Sequence, residues 1–397
     1  MSTTSGVAPA VIAALLASPE PRWGALRPEV VTHTRAAYDA LYRSPQALTA
    51  GELHALAAVA AAWQGSAPLL AWHLAEGAEP SLLGAEPPQD PRLAALRRHV
   101  DLLSVSPATV HAGDQHALAD AGASPDEVVL VSQLVAFESF LLRMVAGLGV
   151  LDAGAGDTRP HPAPDLAPAP GRTPPGRGRT KHAPGTTVTG RPRPQAYTQE
   201  VLDWEPWVAA PAVEELTAQQ RQSFAGKASV DSVYFRLIAR TPAVTAARSA
   251  LDIAAFQGRG GLPKAERELA AAVASKVNDC VFCASVHARK ATGFSKRGAD
   301  VDRLLAVDLP RDADWVPTDL APLSAGLDER WASVVDAAAH LSQVRPTLAP
   351  AHVERMRRAG LDELEIGDLI TSAAFFAWAN RLMLTLGEPA LTGPQAG

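Results

Sequence analysis

The chain has 397 residues, of which 47% are hydrophobic and only two are cysteine, with a formal net charge of -6. That length allows two compact cores. The negative balance, with basic residues gathered on no helix face, argues against a nucleic-acid partner. Two cysteines only three positions apart exclude a secreted disulfide framework.

In chain order, the N-terminal stretch MSTTSGVAPAVIAALLASPE has a short apolar run with no Lys or Arg before it. It is too short to span a bilayer and reads as a helix of a cytoplasmic protein with no membrane partner. ELHALAAVAAAW from Glu52, RLAALRRHVDLL from Arg92 and the long DEVVLVSQLVAFESFLLRMVAGLG from Asp126 space their apolar residues by three and four, as helices do. Residues 152–196 are dense in Pro, Gly and Arg and nearly empty of large apolar side chains, so they are expected to form a disordered linker. Beyond it, Trp204 and Trp207 mark the start of a second domain or a subunit contact. ERELAAAVASKV from Glu266 and RWASVVDAAAHL from Arg330 are again helical in period. Alternating β-branched stretches are almost absent, so the fold class is all-α, with helical domains at 1–151 and 197–397 on either side of the linker.

The two flanks resemble each other. LTAGELHALAAVAAAWQGSAPLLAWHL from Leu48 aligns without a gap on LPKAERELAAAVASKVNDCVFCASVH from Leu262, matching Glu52 with Glu266 and His73 with His287. A second block pairs Gly122 with Gly360, Phe137 with Phe375 and Arg143 with Arg381. Amphipathic periodicity alone can align two helices, but a shared order of blocks with matching glycine, aromatic and arginine positions points to duplication. Between the blocks the second half carries an additional loop around ADVDRLLAVDLPRDADWVPTDLAPLSAGL. In the first half, Ser66, Leu69 and His54 stand where the second has Cys280, Cys283 and Glu268, so that copy has lost the thiol chemistry and His73 reads as structural. Arg143 and Arg381 cap or bridge the last helices and have no catalytic role.

The chemistry is expected in the stretch from Glu268 to His287. A helix from about Lys264 should end near Asn278 and Asp279, either of which can cap a second helix whose first turn contains Cys280. There Cys280, Cys283 and His287, at i, i+3 and i+7, share one side. The positive end of the helix dipole favours thiolate, His287 can stabilise it or exchange a proton with Cys283, and Glu268 can orient the imidazole. An unperturbed thiol is only about 3% ionised at pH 7, so such help matters.

The spacing of ERELAAAVASKVNDCVFCASVH resembles the alkylhydroperoxidase (AhpD-like) branch of the carboxymuconolactone decarboxylase family: a Glu, then Cys-x-x-Cys, then a His four residues later. The resemblance covers the motif and its flanking helices, extends over about 200 C-terminal residues, and reaches the first half only through the repeat. It implies an oligomeric helical fold that reduces hydroperoxides without a cofactor, reset by an external dithiol. It further implies Cys283 as peroxidatic thiol, Cys280 as resolving thiol, and Glu268 with His287 as proton relay. Family members carry a second His between the cysteines, where this chain has Phe282.

Rival readings carry less. A zinc site has three ligands here and no second Cys or His pair at finger-like spacing. A thioredoxin-like site wants a βαβ context that the sequence does not offer. Outside enzymes, the motif would serve as a redox sensor or a metal-stabilised core in an oligomeric interaction protein. Lactone decarboxylation, the other family activity, would not need the cysteine pair.

Overall fold

In the computed structural model, residues 7–16, 24–44, 46–84, 86–153, 179, 181 and 185–393 are described. The first half contains α1 (Val7–Leu16), α2 (Pro28–Tyr38) continued by a π turn (Asp39–Arg43), α3 (Ala50–Trp63), α4 (Ala67–Ala75), α5 (Pro91–Val105), α6 (Ala112–Asp120) and α7 (Pro125–Ala153). The second half opens on strand β1 (Leu202–Pro206) and the short helices α8 (Ala218–Gln222), α9 (Lys227–Asp231) and α10 (Val233–Ile238). It continues with α11 (Pro242–Gln257), α12 (Lys264–Val277), α13 (Val281–Ser295), α14 (Gly298–Ala306), α15 (Glu329–Ser342), α16 (Pro350–Arg358), α17 (Glu363–Thr385) and strand β2 (Gly387–Leu391).

The fold is all-α, and each helix expected from apolar spacing is present. Local chemistry sets the ends: Thr49 and Glu52 form a reciprocal capping box on α3, as Asp362 and Glu365 do on α17. The sequence reading missed a β ribbon. β1 and β2 pair antiparallel, Leu202 opposite Leu391 through Pro206 opposite Gly387. A five-residue strand with a proline in it gives almost no periodic signal.

The helix starts keep a constant relation between the halves. α2, α3 and α4 begin at 28, 50 and 67, and α11, α12 and α13 at 242, 264 and 281, a difference of 214 throughout. α5, α6 and α7 begin at 91, 112 and 125, and α15, α16 and α17 at 329, 350 and 363, a difference of 238. The added residues fall between α13 and α15. There the expected loop in part folds into α14, whose Val301, Leu304 and Leu305 are buried.

At the centre α7 lies against α17. Phe137 meets the edge of Trp378 at 5.2 Å, and the Trp378 indole donates to Gln133 at 2.8 Å. A Cβ at Gly147 would stand 2.7 Å from Ile370, so glycine permits the close approach of the two helices. This packing explains the composition of α7. It is long and apolar enough to cross a membrane, yet 83% of its most apolar window is buried inside the protein.

The expected linker needs a correction at its C-terminal end. Residues 154–178 lie outside the described ones. Arg179 binds Asp114 at 2.6 Å, Lys181 binds Asp279 at 2.8 Å, and 185–193 form a turn in which Thr186 bridges Pro192. Arg191 pairs with Asp203 and Glu205, and Arg193 with Glu388. Charged and backbone partners fix this stretch, which contains almost no apolar residues to announce it. Trp204 donates to the Met383 carbonyl at 3.1 Å and meets Tyr234 edge-on, tying the β ribbon to the helices.

Candidate functional site

The site forms where α12 turns into α13. Asn278 ends α12, Asp279 adopts a left-handed φ of 60°, and the Cys280 N–H donates back to the Ser275 carbonyl at 2.8 Å. An unsupported non-glycine residue resists that conformation. Here the Asp279 carboxylate is held by Lys181 at 2.8 Å, Tyr197 at 2.6 Å and Trp315 at 2.9 Å. Burial pushes its pKa up, but the Lys181 and Arg311 cations outweigh this and hold it below the usual carboxylate value. The capping expectation is therefore corrected. Neither Asn278 nor Asp279 caps α13; Cys280 itself is the N-cap residue and Cys283 lies in the first turn.

Four side chains singled out by spacing are brought together as two pairs. His287 Nδ1 lies 2.5 Å from Glu268 Oε2, across α12 and α13. Lys290 approaches the other oxygen of Glu268 at 3.7 Å. The imidazole is walled by Phe376, edge-on at 4.2 Å, and by Phe256 at 5.9 Å. Cys280 and Cys283 are free and buried, three residues apart at the start of α13. His287 follows Cys283 by one turn on the same face of α13. Phe282, which stands where the family's second His was expected, is half-buried against the core.

The expectation of an easily ionised thiol fails for Cys283. Burial pushes its pKa well above the ordinary value, and the neighbouring Cys280 pushes it further. Asn380 and Arg248 pull the other way. A first-turn position favours thiolate by at most a kcal/mol or so, which complete desolvation exceeds.

Sequence reasoning missed five residues here. Asn380 on α17 accepts from Asn278 at 3.1 Å and donates to Ser275 at 3.0 Å, tying the turn to the core, and it favours the ionised form of Cys283. On α11, Arg248, Asp252 and Phe256 recur every fourth residue, which places them on one face. The Asp252 carboxyl is raised chiefly by burial, with the Glu268 charge adding to the effect. Tyr234 on α10 completes the group. The only sequence signal was a polar residue interrupting an apolar helix, as Asn380 does in AAFFAWANRLML.

The equivalent positions of the first half also carry partners. Ser66 is the N-cap of α4, as Cys280 is of α13, and Leu69 is fully buried. His73 does not stand alone: its Nδ1 lies 3.0 Å from His54 Nδ1 and its Nε2 3.1 Å from Glu138. Glu138 in turn accepts from Tyr42 at 2.6 Å. Burial lowers His54 to about 4. Thus the thiols are gone, but a buried acid–base chain occupies this place, its carboxylate now on α7 rather than α3. Among the described residues, no three His, Cys, Asp or Glu side chains gather as a metal site.

Compared with known families, residues 242–314 match the carboxymuconolactone decarboxylase family. The match spans α11 to α14 and thus holds Arg248, Glu268, both cysteines and His287. No curated protein matches the chain.

Proposed function

We propose that the chain, whose residues 242–314 match the carboxymuconolactone decarboxylase family, is a thiol-dependent oxidoreductase that reduces hydroperoxides at Cys283 and Cys280. One observation carries this reading: a carboxylate–imidazole pair at 2.5 Å stands one helical turn from two buried free cysteines. A lactone decarboxylase has no use for two thiols in that place.

The chemistry follows from the buried thiol. Since Cys283 resists ionisation, its proton must leave as the sulfur attacks, and the imidazole of His287, oriented by Glu268, is the base within reach of that face. Sγ of Cys283 takes the terminal oxygen of the hydroperoxide, the O–O bond breaks, and the alkoxide leaves as the alcohol with the proton returned by His287. Cys283 is now a sulfenic acid. Sγ of Cys280 attacks that sulfur, expelling water and closing a disulfide. An external dithiol reduces the disulfide and is itself oxidised. The first half, with Ser66 and Leu69 in place of the cysteines, is a degenerate copy that supplies packing surface.

The test is stoichiometric addition of tert-butyl hydroperoxide to the full chain, with intact mass and dithiol consumption as readouts. The reading requires loss of two hydrogens per chain, reversal by dithiothreitol, abolition by Cys283→Ser and little change in Ser66→Ala. A chain that keeps both thiols under peroxide, and consumes no dithiol, would overturn it.

A further inference from the structure

Arg248 is 3% exposed, yet its Nε and Nη1 are buried with no hydrogen-bond partner, and among the described residues no carboxylate lies within ion-pair distance of its guanidinium, Asp252 one turn along α11 acting on it only from farther away. The surroundings are aromatic: Cζ lies 4.9 Å from the centre of the Phe375 ring and 5.8 Å from those of Tyr234 and Phe235. Ring faces compensate a cation only partly, and an uncompensated buried cation is among the costliest features a core can carry. The Tyr234 hydroxyl is likewise buried without a partner. Two unpartnered buried donors beside each other are what an anion-binding site presents.

Their position ties them to the thiols. Phe375, under the guanidinium, is 5.9 Å from Phe376 and 6.2 Å from Phe256, both of which wall His287. The charge of Arg248 favours the ionised form of Cys283, and the charges of both cysteines act on Tyr234. Burial pushes the Tyr234 phenol up to about 12, which keeps it an O–H donor. At the matching place in the first half, where the thiols are absent, α2 carries Thr34, whose hydroxyl is satisfied by the Val30 carbonyl at 2.7 Å. The orphaned cation therefore accompanies the cysteines.

We infer that Arg248 and Tyr234 form a carboxylate-anchoring subsite beside Cys283, so that the preferred substrate is an organic hydroperoxide bearing a carboxylate. The substrate class rests on the peroxidase reading given above, whereas the subsite itself does not. Two alkylating agents with the same leaving group separate the two. Iodoacetate carries a carboxylate and iodoacetamide does not, so the ratio of their rates at Cys283 cancels the thiolate fraction. In the full chain that ratio should exceed the ratio in the urea-unfolded chain by about tenfold or more, the worth of a charge-assisted hydrogen bond. Arg248→Met should return it to the unfolded value, and Arg248→Lys should keep part of the gain. Propionate should raise the thermal midpoint of the wild type above that in chloride of equal ionic strength, and should fail to do so in Arg248→Met. Under turnover, Arg248→Met should raise KM for a hydroperoxy fatty acid far more than for its methyl ester.

A ratio unmoved by Arg248→Met, or one below that of the unfolded chain, overturns the subsite. If neither reagent reaches Cys283, the thiol reading fails, and the propionate shift alone decides the subsite. If the alkylation ratio behaves as stated but no hydroperoxide is turned over, the peroxidase reading fails while the subsite stands.

Discussion

Arg143 and Arg381 each cap a helix of the opposite half of the molecule. Arg143, on α7, donates to the Gln343 carbonyl at 2.7 Å and the Ser342 carbonyl at 3.4 Å, where α15 ends. Arg381, on α17, donates to Leu103 at 3.0 Å and Ser104 at 3.3 Å, in the last turn of α5. Both reach the same Gln64 oxygen, at 3.1 and 3.5 Å. With no carboxylate among the described residues against them, the negative ends of two helices and a shared amide hold two buried cations. Burial pushes both guanidinium pKa values down, Arg143 to about 9.

Removing either arginine leaves buried carbonyls unpaired. Arg143→Met and Arg381→Met should each lower stability by about 3 kcal/mol. Because both meet at Gln64, the double variant should depart from additivity, which urea denaturation of the four proteins would reveal.

A fragment of residues 197–397 should lack independent stability. It would uncover Phe375 and Trp378 and leave the Trp378 indole without Gln133 and Arg381 without the α5 carbonyls. The expected outcome in size-exclusion chromatography is aggregation or self-association, with binding of a hydrophobic dye. A folded monomer with full peroxide activity would contradict it.

Glu268→Gln keeps the shape of the contact with His287 but removes the charge. The rate of Cys283 oxidation by peroxide should fall by about 100-fold. Lys290→Ala should change it little, since Lys290 is half exposed and 3.7 Å from the carboxylate. Single-turnover kinetics followed by thiol titration would show the difference.

His99 makes stability sensitive to acid. It is buried, its Nε2 is 3.0 Å from Ser132, and burial lowers it to about 4, with the Asp114 charge opposing. The unfolded histidine binds its proton near pH 6.5. Between those values the unfolded chain holds more protons, so stability is complete above about pH 6.5 and declines as pH falls toward 4, by about 3 kcal/mol. His99→Gln should flatten that decline, read as the urea midpoint at several pH values.

The sequence by itself determined the helices, the thiol spacing and the pairing of Glu268 with His287. Each depends on residues a few turns apart, and helical period converts such spacing directly into a shared face or a facing pair. Only the tertiary structure decided that Cys283 resists ionisation, because desolvation depends on what packs over a group, and much of that packing comes from α12 and α17. It also decided that Asn380 and Arg248, more than a hundred residues apart, flank the same sulfur, and that His73 has a carboxylate partner on α7. The end of the Pro/Gly-rich stretch belongs with these. Its order rests on Arg and Lys side chains reaching carboxylates far along the chain, contacts to which hydrophobic patterning is blind, since a salt bridge leaves no period in the sequence.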